Sequence, residues 1–236
     1  MVSTVIKNWD NKNWLSSNNY IKSLNNFLIK NIKLNSNSNI LDIGCGRGKI
    51  IGSLSSKLKL KNKPLGIDVI NHKDKDNRIN FKKIDAKYFF SKNKNQFDLI
   101  LIKQTIHLLD LNTIKKLLFL SKKNLSKNGK IFIFTLDTYQ NELPTFKLMK
   151  TKLEKSLERD KRILEFISNL YPKRLKKKFI YNVKILKKKY LEMIEKRYIS
   201  ILLSLNNQQI SIGLNEINSK YKKTIRFKDR LTCIVL

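Results

Sequence analysis

Three of the chain's seven glycines fall within five residues, at Gly44, Gly46 and Gly48. They follow a short apolar run over residues 39–43 and precede a stretch of helical character that ends near Leu58. Glycine at this spacing lets the backbone turn tightly and approach a ligand with no Cβ in between. A strand that passes through such a turn into a helix opens a βα unit, and this commits the chain to parallel crossovers.

The pattern after the turn agrees. Apolar runs over residues 64–70, 79–84 and 97–102 read as strands, the last fully apolar after Asp98, as a buried parallel strand should be. Residues 112–124 read as a helix with Ile114, Leu117, Leu118 and Leu125 on one side. Asn128-Gly129 marks a turn before a strand over 130–136. Then the texture changes. Residues 140–175 look helical and charged, with Ile163, Phe166, Ile167 and Leu170 on one face. A strand over 179–186 precedes a helix over 187–205, with Leu191, Ile194, Tyr198, Ile201 and Leu202 inward, and a further helix over 208–221. A final strand covers 224–236. Upstream, Tyr20, Leu24, Phe27, Leu28 and Ile32 recur at helical spacing. We read one domain over 1–236, with helical additions at 140–175 and 187–221.

Composition excludes several classes. Two cysteines, Cys45 and Cys233, and two histidines make neither a disulfide framework nor a structural zinc site. No tight cysteine cluster suits an iron–sulfur centre, so the chemistry is expected to need no metal. No apolar run is long enough to span a membrane, and the first residues lack the layout of a signal peptide, which predicts a cytoplasmic protein. The net charge of +32 points toward nucleic acid. Against that, the lysines are spread over almost every segment, and aromatics are not interleaved with Arg as base stacking requires.

The turn itself is discriminating. A phosphate-binding loop needs four residues before Gly-Lys and then Ser or Thr; here three separate Gly44 from Gly48-Lys49, and Ile50 follows. A dinucleotide fingerprint needs glycine where Lys49 stands. Asp42, two residues before the first glycine, would repel a pyrophosphate and suits a ligand with an ammonium group and no phosphate. The segment Asp42-Ile43-Gly44-Cys45-Gly46-Arg47-Gly48 resembles the Asp/Glu-x-Gly-x-Gly-x-Gly motif of class I S-adenosylmethionine-dependent methyltransferases.

That resemblance covers about residues 36–137, and weakly more. It implies a doubly wound, mostly parallel, seven-stranded Rossmann-like sheet with an antiparallel last strand near 227–236. It implies that S-adenosylmethionine is the cofactor, held by Asp42, Gly44, Cys45, Gly46 and Gly48. Asp68, with Val69 beside it, stands where the family binds the ribose hydroxyls, though an Asp at a strand end is often a helix cap. Asp85 and Ala86 stand where the family reads adenine, though Asp85 can equally be a solvated loop carboxylate. Residues 97–109 resemble the fourth-strand block of small-molecule methyltransferases; there Lys103 and Gln104 replace the small residues usual beside the cofactor's methionine end.

Methyl transfer asks the protein mainly to align the acceptor and exclude water. His107 is the best candidate base, against the alternative that it merely packs. Tyr20, Trp9 and Trp14 could form an N-terminal helical lid over residues 1–35, or be ordinary core aromatics. Tyr20 is carried as a second catalytic candidate and Trp14 as an acceptor contact. Asp137 and Glu142 follow the fifth strand and are candidates to orient a polar acceptor; Arg197, with Tyr198, could bind an acceptor carboxylate or simply be solvated. His72 lies in a polar loop and looks exposed. The scarcity of bases favours an acceptor that brings its own nucleophile, a thiolate or carboxylate. The helical insertion after the fifth strand and the aromatic N-terminus could together wall off a closed pocket, so the expected partner is a small-molecule methyl acceptor. The alternatives are an RNA methyltransferase, which would need an Asn-Pro-Pro-Tyr-type tetrapeptide where Lys103-Gln104-Thr105-Ile106 stands, and a binding protein that kept the cofactor fold.

Overall fold

A computed structural model describes residues 13–236. Trp9 lies outside the described residues, as does the first part of the expected lid. Fourteen residues, Asn18–Asn31, form α1, capped by the Ser17 side chain, which accepts from the Tyr20 N–H. Then come β1 (Ile40–Ile43), α2 (Lys49–Leu58), β2 (Leu65–Asp68), β3 (Asn80–Lys83), α3 (Ala86–Lys92), β4 (Phe97–Lys103), α4 (Leu111–Lys123) and β5 (Leu125–Leu136). The remainder is α5 (Lys147–Leu170), β6 (Leu175–Leu186), α6 (Lys187–Glu195), α7 (Asn207–Lys220) and β7 (Thr224–Val235).

The seven strands form one sheet in the order β3-β2-β1-β4-β5-β7-β6. β1 to β5 are parallel, while β7 runs antiparallel to both β5 and β6. This is the doubly wound, Rossmann-like arrangement. The chain leaves β1 toward one side and returns to β4 on the other, so a crevice opens beyond the carboxyl end of β1.

Strand alternation sorts the core onto two faces. Leu99, Leu101, Phe132 and Phe134 join α1 and α2 on one face; Ile100, Ile102, Ile131 and Ile133 join α3 and α4 on the other. α5 serves both. Its first half gives Met149 and Leu153 to the first cluster, and its second half gives Ile163, Leu164 and Ile167 to the second.

Several elements differ from the sequence reading, among them β6, which starts at Leu175 and not at residue 179. α3 was not expected; its seven residues are too few to show a period, although Asp85 caps it and Phe89 and Phe90 are buried. β5 starts at Leu125, because residues around the Asn128-Gly129 turn bulge out of the ladder between Leu125 and Lys130, opposite Phe97 and Leu99. The helix expected from residue 140 begins at Lys147, after a segment without regular secondary structure. The helix expected over 187–205 breaks after Glu195, where Arg197 takes the left-handed conformation (φ 50°).

Candidate functional site

The glycine turn is built from backbone bonds to the neighbouring strand. The N–H groups of Gly44 and Cys45 both donate to the Ile67 carbonyl, at 2.9 and 3.1 Å, and the Gly46 N–H donates to Asp68 Oδ2 at 2.9 Å. All three glycines are left-handed, with φ of 72°, 55° and 71°. They differ in what surrounds them. A Cβ on Gly44 would overlap the Thr105 side chain, and one on Gly48 would overlap Ile79. A Cβ on Gly46 would meet no protein atom within 4 Å. Gly46 therefore presents bare backbone to open space, a surface shaped for something other than protein.

That space is a cleft of about 590 Å³, open to solvent, at the carboxyl ends of β1, β2 and β4. Every residue expected around the cofactor lines it, from Asp42 through Gly48, Asp68 and Val69, Asp85 and Ala86, to Lys103 and Gln104. Burial pushes the Asp42 carboxyl up to about 7; the Lys103 charge opposes this and Asp68 adds to it. Burial also acts on Asp68, but donation from His72 and from the Ile70 and Gly46 N–H groups outweighs it and holds that carboxyl below its ordinary range. Burial, with Asp42 and Asp68 nearby, keeps the Cys45 thiol protonated. Val69 is 60% exposed, an apolar face turned to the cleft. Asp85 Oδ1 accepts from the Lys87 and Tyr88 N–H groups and so caps α3. His72 corrects the sequence reading: it is 5% exposed and stands 3.8 Å from Asp68 Oδ2.

A second cavity, of about 110 Å³, lies beyond the first. The two share Leu15, Gln104 and Leu108 as a common wall. Gln104 holds this position in a left-handed conformation (φ 52°), its N–H bonded to the Phe134 carbonyl and its Oε1 accepting from Lys103 Nζ at 3.1 Å. Most of the remaining lining is apolar, including Leu136, Leu143, Leu153 and Ile199. Trp14, His107, Arg197 and Tyr198 also face it. Burial, helped by the Arg159 charge, pushes His107 down to about 4.

Two carboxylates in this cavity were not singled out from the sequence. Asp160, on α5, is 3% exposed and its Oδ1 has no hydrogen-bond partner; burial raises it to about 6 against the pull of Arg159. Asp229, on β7, is 2% exposed and accepts from Trp14 Nε1; burial raises it too, against that bond and Lys103. Periodicity held the signal. Asp229 is in phase with the buried Ile225, Phe227 and Leu231, and Asp160 lies on the stripe of Ile163, Leu164 and Ile167.

Three expected residues are not brought to either cavity. Tyr20 is a core aromatic rather than a catalytic group: it packs edge-on against Phe179 and Tyr181, and the Lys103 ammonium sits 5.4 Å from its ring centre. Burial raises its hydroxyl well above the ordinary range. Asp137 turns back on its own loop, accepting from the Tyr139 and Gln140 N–H groups, and pairs with Lys178. Glu142 pairs with Arg230 at 2.6 Å and accepts from the Lys228 N–H.

Among the described residues, no helix is long and apolar enough to cross a membrane. A family profile described as methyltransferase small domain matches residues 15–162. An S-adenosylmethionine-dependent methyltransferase from Geobacter sulfurreducens, solved with S-adenosyl-L-homocysteine, is 13% identical over 99% of both chains, with a TM-score of 0.56. The plantazolicin methyltransferase, solved with a pentazolic desmethyl-plantazolicin analogue and S-adenosylhomocysteine, is 18% identical over 98% of this chain and 88% of that one, with a TM-score of 0.53. The precorrin-6y C5,15-methyltransferase from Geobacter metallireducens is 10% identical over 90% of this chain and 86% of that one, with a TM-score of 0.51. At these identities the likeness is one of fold. No curated protein matches the chain in sequence.

Proposed function

The chain belongs to the methyltransferase small domain family and is an S-adenosylmethionine-dependent methyltransferase; from that premise we propose that its acceptor is a small molecule, bound in the cavity beyond Gln104. The observation behind this reading is the common wall. Leu15, Gln104 and Leu108 border both the glycine-turn cleft and the second cavity, so a molecule in one lies next to a molecule in the other.

On this reading each cleft residue has a task that its surroundings support. Asp42, buried beside Lys103, receives the ammonium of the cofactor's methionine end. Asp68 receives the ribose hydroxyls; its two oxygens take backbone N–H groups and still have lone pairs to spare. Val69 supplies an apolar face to the adenine, and Asp85 and Ala86 its polar edge. Gly46 lets the ligand lie against bare backbone. Bound there, S-adenosylmethionine supplies a methyl group on a positively charged sulfur, so the leaving group is neutral. The apolar lining of the second cavity excludes water from the transfer, and Gln104 sets the approach. His107, neutral at pH 7, orients the acceptor rather than removing a strongly held proton.

The experiment is direct. S-adenosylhomocysteine is titrated into the protein, and then release of that product from S-adenosylmethionine is followed on adding either a small-molecule metabolite fraction or total RNA. Release with the small-molecule fraction is expected. Release with RNA alone would replace the small-molecule reading.

A further inference from the structure

The second cavity puts two carboxylates where water hardly reaches. Asp160 enters from α5 with Oδ1 buried and unbonded, and Arg159 Nε stands 4.0 Å away, at the limit of contact. Asp229 enters from β7, with Trp14 Nε1 on its Oδ2. Arg197 also faces the cavity, but its Nη2 is held by the Leu205 carbonyl at 3.2 Å and Asn207 Oδ1 at 2.8 Å. The rest of the wall is mainly aliphatic and aromatic.

A carboxylate or thiolate acceptor would meet two groups of its own sign in a poorly solvated space, where repulsion is strong. A donor of N–H groups instead meets two carboxylate acceptors, while Arg197 turns its Nη2 to Leu205 and Asn207. We propose that the acceptor is an amine, a primary or secondary nitrogen on an apolar body, received by Asp160 and Asp229. This rests on the reading of the cavity as the acceptor pocket, and it replaces the thiolate or carboxylate suggested by the sequence.

The step balances. The ammonium form of the acceptor pairs with a pocket carboxylate and gives up one proton to it, leaving a neutral amine and a carboxylic acid. The nitrogen lone pair then forms a bond to the methyl carbon, while the carbon–sulfur bond breaks with its electron pair going to sulfur. The product is a methylated ammonium and a neutral thioether, and the carboxylic acid returns its proton to water as the products leave. Asp160 suits the receiving role, because its buried Oδ1 takes no hydrogen bond, with Arg159 Nε no nearer than 4.0 Å.

The test uses three probes of similar shape on protein saturated with S-adenosylhomocysteine: 2-phenylethylamine, 3-phenylpropanoate and 2-phenylethanethiol, each followed by calorimetric titration. The amine is expected to bind at least about tenfold more tightly than either other probe. Asp160→Asn and Asp229→Asn, which keep size and leave Trp14 an acceptor, should each weaken the amine by about tenfold while leaving S-adenosylhomocysteine affinity unchanged. If S-adenosylhomocysteine itself fails to bind, the cofactor assignment fails first. If it binds and the amine does not, or binds no better than the carboxylate or thiol, the amine proposal alone is overturned. Wild-type amine affinity in both variants overturns it as well. The wild-type probe series decides the matter even where a variant fails to fold.

Discussion

Trp14 and Asp229 stand 215 residues apart in sequence and share a buried hydrogen bond of 2.9 Å. The bond ties the short turn Trp14–Ser16, which precedes α1, to the last strand, and both partners line the second cavity. Around it Trp14 stacks on Tyr190 and meets Tyr198 and Phe227 edge-on. Trp14→Phe keeps most of that packing and removes only the donor. Leaving a buried acceptor unsatisfied costs about 1–3 kcal/mol. Urea unfolding should therefore show a lower midpoint with an unchanged slope, while S-adenosylhomocysteine affinity stays within about twofold, since the cleft is untouched. A loss of cofactor affinity larger than the loss of stability would mean that Trp14 reaches the cleft.

Gly44 and Gly46 make a matched pair, because both are left-handed and only one is packed. Gly44→Ala should damage the fold: left-handed strain of about 1–2 kcal/mol adds to about 1–3 kcal/mol of overpacking against Thr105. Gly46→Val should cost only the strain, yet abolish measurable S-adenosylhomocysteine binding, because its side chain projects into the cleft. Thermal unfolding and calorimetry on the two variants separate the effects. Cofactor binding by a folded Gly46→Val protein would contradict the placement of the ligand on this turn.

The Asp42 carboxyl sits at about 7 in the free protein, raised by burial and Asp68 and opposed by Lys103. Its folded value exceeds that of an unfolded carboxyl, so it contributes stability below about pH 4 that is lost as pH rises through 7. Binding an ammonium needs the ionised form and reverses this preference. Cofactor affinity should then fall about tenfold between pH 8 and pH 6, with a proton released on binding at pH 6. Calorimetry in buffers of different ionisation enthalpy measures that proton. In Asp42→Asn the release should vanish and affinity at pH 8 should drop. A pH-independent affinity in the wild type would show that Asp42 does not meet the ammonium.

The cleft was legible in the sequence because its residues are local. Asp42, the three glycines, Asp68, Asp85 and Gln104 each sit at or just beyond the end of an apolar run, and a parallel sheet brings strand ends to one edge. The same rule placed Asp137 and Glu142 at that edge, but not their directions. Asp137 bonds back to its own loop, and Glu142 is drawn to Arg230, 88 residues on. The acceptor side was hidden for a different reason. Asp160 lies among Glu158, Arg159 and Lys161, and Asp229 among Arg226, Lys228 and Arg230, so composition alone made each look solvated. Their burial comes from segments far apart in the chain: α5 packs against the turns Ile106–Leu108 and Ser200–Leu202, and Asp229 lies under the Trp14 turn. Position within the helical and strand periods would have exposed both.

His107 and Asp160 face the same cavity, and their surroundings push them in opposite directions, to about 4 and about 6. The charged groups nearby are Arg159, which lowers both, and Arg197 and Asp229, which line the cavity. With an amine acceptor, the stronger base is Asp160. Asp160→Asn should lower kcat by about a hundredfold, the usual weight of a positioned base. His107→Gln keeps a polar group in place and should lower kcat by less than about fivefold. In the wild type kcat should rise with pH through about 6 as Asp160 ionises. That limb should disappear in Asp160→Asn and persist in His107→Gln. A limb that follows His107 instead would move the proton-accepting role to the histidine and leave Asp160 as a binding group only.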